Sequence, residues 1–99
     1  MTTNEIKNIL TKKFEDEGCC FTKKDISIKR NGKGDNFTIV VADYDHAPIK
    51  ITTEVDDYFG NCIWVRYEFE DEVQMFDSKT EWRWESAIKN VGYYVATRF

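Results

Sequence analysis

Cys62-Ile63-Trp64-Val65-Arg66-Tyr67-Glu68-Phe69-Glu70 decides the fold, because Ile63, Val65, Tyr67 and Phe69 alternate with Trp64, Arg66, Glu68 and Glu70. A two-residue hydrophobic period marks a strand with one buried and one wetted face. The period recurs upstream, with Phe37, Ile39 and Val41 inward on a strand over 36–44 and Ile49, Ile51, Thr53 and Val55 inward on a strand over 49–56. Ile26 and Ile28 place a further strand over 25–30. The segments Asn31-Gly32-Lys33-Gly34-Asp35, Asp45-His46-Ala47-Pro48 and Asp57-Tyr58-Phe59-Gly60-Asn61 separate them and carry the residue types that tight turns use. Consecutive strands with short turns predict an antiparallel meander.

Helices flank this sheet. Thr2 and Glu5 form a capping box, and Ile6, Ile9, Leu10 and Phe14 then recur at helical spacing until Gly18, which predicts a helix over 4–17. Ser78 and Glu81 form a second box, so a second helix is expected from Lys79, with Trp84, Ala87, Ile88 and Val91 on one stripe. Asn90-Val91-Gly92 reads as its stop and residues 93–99 as a short last strand; a helix running on through Gly92, keeping Val95 on the stripe, is the alternative. Residues 71–77 read as a linker whose Val73, Met75 and Phe76 tuck under the sheet edge. The expected fold class is α+β, a four- to five-stranded antiparallel meander with two helices packed on one face, all within one domain over residues 1–99.

Hydrophobic residues make up 41% of the 99 and aromatics 15%, enough apolar material for a core. Cys19, Cys20 and Cys62 are odd in number and include no C-x-x-C pair, so neither a disulfide framework nor a thiolate zinc motif is legible. Reduced thiols fit a reducing compartment, and Cys20 beside Phe21 reads as buried filler. The polar start Met1-Thr2-Thr3-Asn4-Glu5 and the lack of any long apolar run lead us to expect a cytoplasmic protein with no membrane partner.

Charge is distributed unevenly. The net value is -4, but residues 43–85 hold twelve acids against Lys50, Arg66, Lys79 and Arg83, a local balance of -8. Such a field disfavours a phosphate backbone as partner and favours a cationic surface.

Strand parity gathers these acids. A register that keeps odd-numbered residues inward sets Val55 opposite Ile63, Thr53 opposite Val65, Thr52 opposite Arg66, Lys50 opposite Glu68 as a cross-strand ion pair, and Ala42 opposite Lys50. Asp43, Asp45 and His46 then share one end of the sheet with Glu70, Asp71 and Glu72, while Glu54, Asp56 and Asp57 lie at the other end beside Tyr58. The outward positions between the two ends are Val40, Ala42, Tyr44, Thr52 and Trp64, an apolar composition for a wetted face.

The favoured expectation is a small acidic binding protein, without catalysis, cofactor or metal, that inhibits a basic, nucleic-acid-handling partner such as a nuclease or CRISPR effector by occupancy or nucleic-acid mimicry. Its contact set would be Asp43, Tyr44, Asp45, His46, Glu54, Asp56, Asp57, Tyr58, Trp64, Glu68, Glu70, Asp71 and Glu72. In size, charge and lack of catalytic motifs it resembles phage-encoded anti-CRISPR proteins and the immunity partners of nuclease toxins, a likeness of class that no motif of either carries. The alternatives are a homo-oligomeric adaptor using the Trp64 face, with a dimer as the simplest form, and a metal-dependent enzyme with a rim of Asp43, Asp45, His46, Glu70 and Asp71. Direct nucleic-acid binding through Lys12, Lys13, Lys23, Lys24, Lys29, Arg30 and Lys33 is diluted by interleaved acids.

Overall fold

The apolar alternation becomes a five-stranded antiparallel sheet in the order β1-β2-β3-β4-β5, formed by Ile26–Asn31, Asn36–Val41, Ile49–Asp56, Cys62–Phe69 and Glu72–Asp77. The computed structural model describes residues 2–32, 36–56, 62–77 and 84–99, without the side chains of Asp56, Cys62 and Asp77. Helix α1, Thr3–Asp16, precedes the sheet, and α2, Trp84–Ala96, follows it. The two pack on each other, with α1 reaching β1 and α2 reaching β4 and β5, so among the described residues the sheet has one covered and one open face. No helix among the described residues is long and apolar enough to cross a membrane.

Phe37, Ile39, Val41, Ile49, Ile51, Val65 and Tyr67 are completely buried, joined by Ile6, Leu10 and Phe14 from α1 and by Ala87, Ile88, Val91 and Val95 from α2. Thr53 is the polar member of the inward stripe, and its hydroxyl accepts the Phe37 amide at 2.8 Å. Beside it, Asn36 Oδ1 accepts the Val55 amide at 3.0 Å. Side chains thus complete the β2–β3 ladder where the strands separate.

The β3–β4 register is the expected one, with Val55 opposite Ile63, Thr53 opposite Val65 and Lys50 opposite Glu68. The β2–β3 register is shifted by two residues. Lys50 faces Val40 rather than Ala42, and β2 ends at Val41 rather than near Tyr44. The connection is longer than a tight hairpin because Asp43 organises it: its Oδ1 accepts the amides of Asp45 and His46, each at 2.9 Å. This local turn takes residues 42–48 out of the ladder, and an even shift preserves the buried parity.

Two further expectations are corrected. Residues 72–77 form β5, with Val73 opposite Glu68 and Met75 opposite Arg66, so Val73 and Met75 project from the open face. Residues 93–99 are not a strand, since α2 continues through Gly92 to Ala96. Gly92 is fully inside the helix pair, where an added Cβ would stand 3.3 Å from Leu10 Cδ2 and 3.3 Å from Lys13 Cγ. The glycine that looked like a stop is the point of closest approach between helices. The opening helix does end as expected, Gly18 adopting φ 71 while the Cys19 amide reaches back to Phe14 O at 2.8 Å. The Ser78 and Glu81 capping box and the turn over 57–61 lie outside the described residues.

The Tyr67 hydroxyl is buried without a hydrogen-bond partner among the described residues. Burial first, then the neighbouring Glu72 and Tyr94, push its pKa up to about 12, against the opposing pull of Arg98. Because the folded state holds this proton more tightly than the unfolded chain does, the contribution to stability is complete below the ordinary tyrosine value of 10.0 and falls away as pH rises from there to about 12. Tyr67→Phe is therefore expected to raise stability by about 1 kcal/mol in denaturant titration at pH 7, by removing an unsatisfied polar atom. The same variant should unfold less readily than the parent between pH 10 and 12. Gly92→Val should lower stability by about 2 kcal/mol in the same titration, because the added methyls overpack the helix contact.

Candidate functional site

Four segments meet at one end of the sheet: the stretch after α1, the β2–β3 connection over 42–48, the β4–β5 turn at Glu70 and Asp71, and the C-terminal residues. Aromatic contacts fasten them. Phe21 lies 5.6 Å from the His46 ring and 5.4 Å from Phe99, while Phe99 lies 5.3 Å from His46 and 4.9 Å from Phe69. His46 is half-buried among these rings, edge-on to both phenylalanines.

The topology does bring Asp43, Asp45, His46, Glu70, Asp71 and Glu72 to this end, but their environments divide them. Asp43 is turned toward its own loop, its Oδ1 2.9 Å from His46 Nδ1 and bonded to two backbone amides. Partial desolvation pushes its pKa up, but the hydrogen bonds from the His46 ring and from the Asp45 and His46 amides outweigh that and hold the carboxyl below the ordinary range. Glu72 faces the helix side, where it accepts from the Tyr94 hydroxyl and lies 3.4 Å from Arg98 Nε. Arg98 also stacks 3.5 Å from the centre of the Tyr94 ring. Burial and the bond to Glu72 push the Tyr94 hydroxyl up in pKa, with Arg98 opposing.

Asp45, Glu70 and Asp71 remain exposed, with Tyr44 fully exposed beside Asp45. This is a smaller acidic corner than five carboxylates and a histidine, because Arg98 and His46 each engage one member. Glu70 holds φ 52, the left-handed conformation that glycine or asparagine ordinarily fills in a two-residue hairpin.

Trp64 projects from the open face and is half-buried rather than bare. It stands directly opposite Glu54 of β3 and, with Arg66 and Met75, borders a groove of about 330 Å³ that extends to Asn31 and Asn36 on the first two strands. Glu68 stands opposite Lys50, but its carboxylate is engaged by Arg66 Nε at 2.5 Å, so the expected Lys50 pair is replaced by a same-strand one. Glu54 is exposed at the far end of the sheet from Asp45. Asp57 and Tyr58 lie outside the described residues, as does the side chain of Asp56.

Cys20, expected as core filler, is exposed, whereas Cys19 packs partly against the core. Desolvation, then Cys19 and Asp43, push the Cys20 thiol up in pKa, the opposite of what a thiolate nucleophile requires. Sequence reasoning also missed Val73 and Met75, which are 46% and 52% exposed and extend the Trp64 surface across the fifth strand. Their alternation with Gln74 and Phe76 was the available signal. The chain matches no protein-family model, no curated protein and no solved structure.

The left-handed Glu70 gives a direct test of how far this corner departs from the most stable choice. Glu70→Gly is expected to raise stability by about 1 kcal/mol, read as a higher denaturation midpoint with unchanged slope, since glycine carries no Cβ penalty there.

Proposed function

We propose that the protein acts by binding, docking a basic, nucleic-acid-handling protein through its acidic corner and the adjoining open sheet face, and that it inhibits this partner by occupancy. The observation that carries the reading is the juxtaposition of exposed Asp45, Glu70 and Asp71 with a sheet face left uncovered by both helices. Carboxylates at a corner steer a cationic surface inward and resemble a run of phosphates in charge. Exposed Val73 and Met75, with half-buried Trp64 beside them, offer the apolar area that turns an electrostatic encounter into a lasting contact. The strained backbone at Glu70 supports the same reading, because a charged side chain occupies a position that glycine would fill at lower cost.

The decisive experiment compares the parent chain with a variant carrying Asp45→Lys, Glu70→Lys and Asp71→Lys, each immobilised and exposed to lysate of the native cell. The parent should retain basic nucleic-acid-binding proteins that elute as salt rises to several times about 0.15 M, where screening shortens below the contact distances of the corner. The variant should keep its melting temperature and lose them, and Trp64→Ala should shorten their residence without changing the salt dependence. Retention equal in parent and variant, or indifferent to salt, overturns the proposal.

A further inference from the structure

Next to Asp45, a second group of side chains converges that the binding proposal does not use. Cys20, from the stretch after α1, meets Asp43 and His46 from the β2–β3 connection, and one donor atom from each lies within 4.8 Å of the others. These are a thiol, a carboxylate and an imidazole. We propose that Cys20, Asp43 and His46 form a Zn2+ site that ties the N-terminal helix to the β2–β3 connection.

The donor set selects the ion. A thiolate with an imidazole and one carboxylate suits a borderline cation such as Zn2+, whereas Mg2+ and Ca2+ take oxygen donors almost alone. The separations are near what the ion needs. His46 Nδ1 and Asp43 Oδ2, the oxygen not taken by the backbone amides, stand 3.2 Å apart, a little short of the roughly 3.4 Å edge between two donors each about 2.0–2.2 Å from a tetrahedral ion. Drawing the Cys20 sulfur to about 2.3 Å from the same point takes a movement on the order of 1 Å. Cys20 is exposed on a non-helical stretch, so a side-chain rotation supplies it.

The surroundings are already built for the two loop ligands. Two backbone amides fix the Asp43 carboxylate, and Phe21 and Phe99 hold the His46 ring edge-on between them. Outer contacts of this kind orient metal ligands and commonly decide affinity. The cation would replace the proton now shared by Asp43 and His46 and would convert the Cys20 thiol to thiolate, releasing protons on binding. Three protein ligands leave one tetrahedral position for water or for a donor from a partner.

Metal-free, reduced full-length chain is titrated with Zn2+ in a calorimeter and with Co2+ in a spectrophotometer. One ion per chain and a thiolate-to-cobalt charge-transfer band are expected, with a rise in melting temperature as free Zn2+ increases. Cys20→Ser should abolish the band and weaken Zn2+ binding at least about a hundredfold, the upper end of what loss of an outer contact costs. His46→Gln should weaken binding similarly, and Cys19→Ser should leave both readouts unchanged. Since Cys20 is exposed, its serine variant keeps the fold, which circular dichroism verifies. Absence of heat and band in the parent, or a band that survives Cys20→Ser or disappears with Cys19→Ser, overturns the site.

Discussion

Everything on the dry side of the sheet depends on two helices from opposite ends of the chain lying against each other at Gly92. There α2 comes close enough for Leu10 and Lys13 of α1 to fill the space a side chain would take. That approach lets Ile6, Leu10 and Phe14 share one interior with Ile88, Val91 and Val95, and roofs the odd-numbered residues of β2, β3 and β4. Packing at this density does not tolerate added volume, so the position is fixed by shape.

Pairing the helices on one face leaves the other without a covering element among the described residues, and this asymmetry sets the character of the surface. Part of the outward row is small or charged, with Thr38 and Thr52 paired on β2 and β3 and the Arg66–Glu68 pair on the next strand. The outward residues beside them, Trp64, Val73 and Met75, are large and apolar. At the end of the sheet, carboxylates are sorted by whether a counter-charge is within reach: Arg98 engages Glu72, His46 engages Asp43, and Asp45, Glu70 and Asp71 stay in water.

Much of this was legible from residue order. Parity in 36–41, 49–56 and 62–69 yields the inward set and the β3–β4 register because burying one face forbids a one-residue slip. The capping box of Thr2 and Glu5 places the start of α1 to within a residue. What escaped has a common physical origin in local signals that tertiary contacts override. Glu70 and Asp71 make a hairpin without glycine or asparagine, so β5 was hidden behind a turn with no turn chemistry. Gly92 carries the residue type of a helix end but serves a helix crossing. At the candidate site, parity located the end of the sheet where the acids collect, but not that Glu72 turns inward to Arg98 or that Cys20 swings out toward His46. Those depend on which elements pack beside the loops, and Cys20 and His46 are far apart in sequence.

The order of elements also bears on how the molecule comes into being. Each strand pairs with the one made just before it, so the meander can zip up as synthesis proceeds. Helix α1, made before the sheet, cannot find its counterpart until α2, which follows the sheet, has left the ribosome. Until then Phe37, Ile39 and Val65 wait under half a roof, and the nascent sheet is most exposed to association with its neighbours after β5 has been made and before α2 has docked.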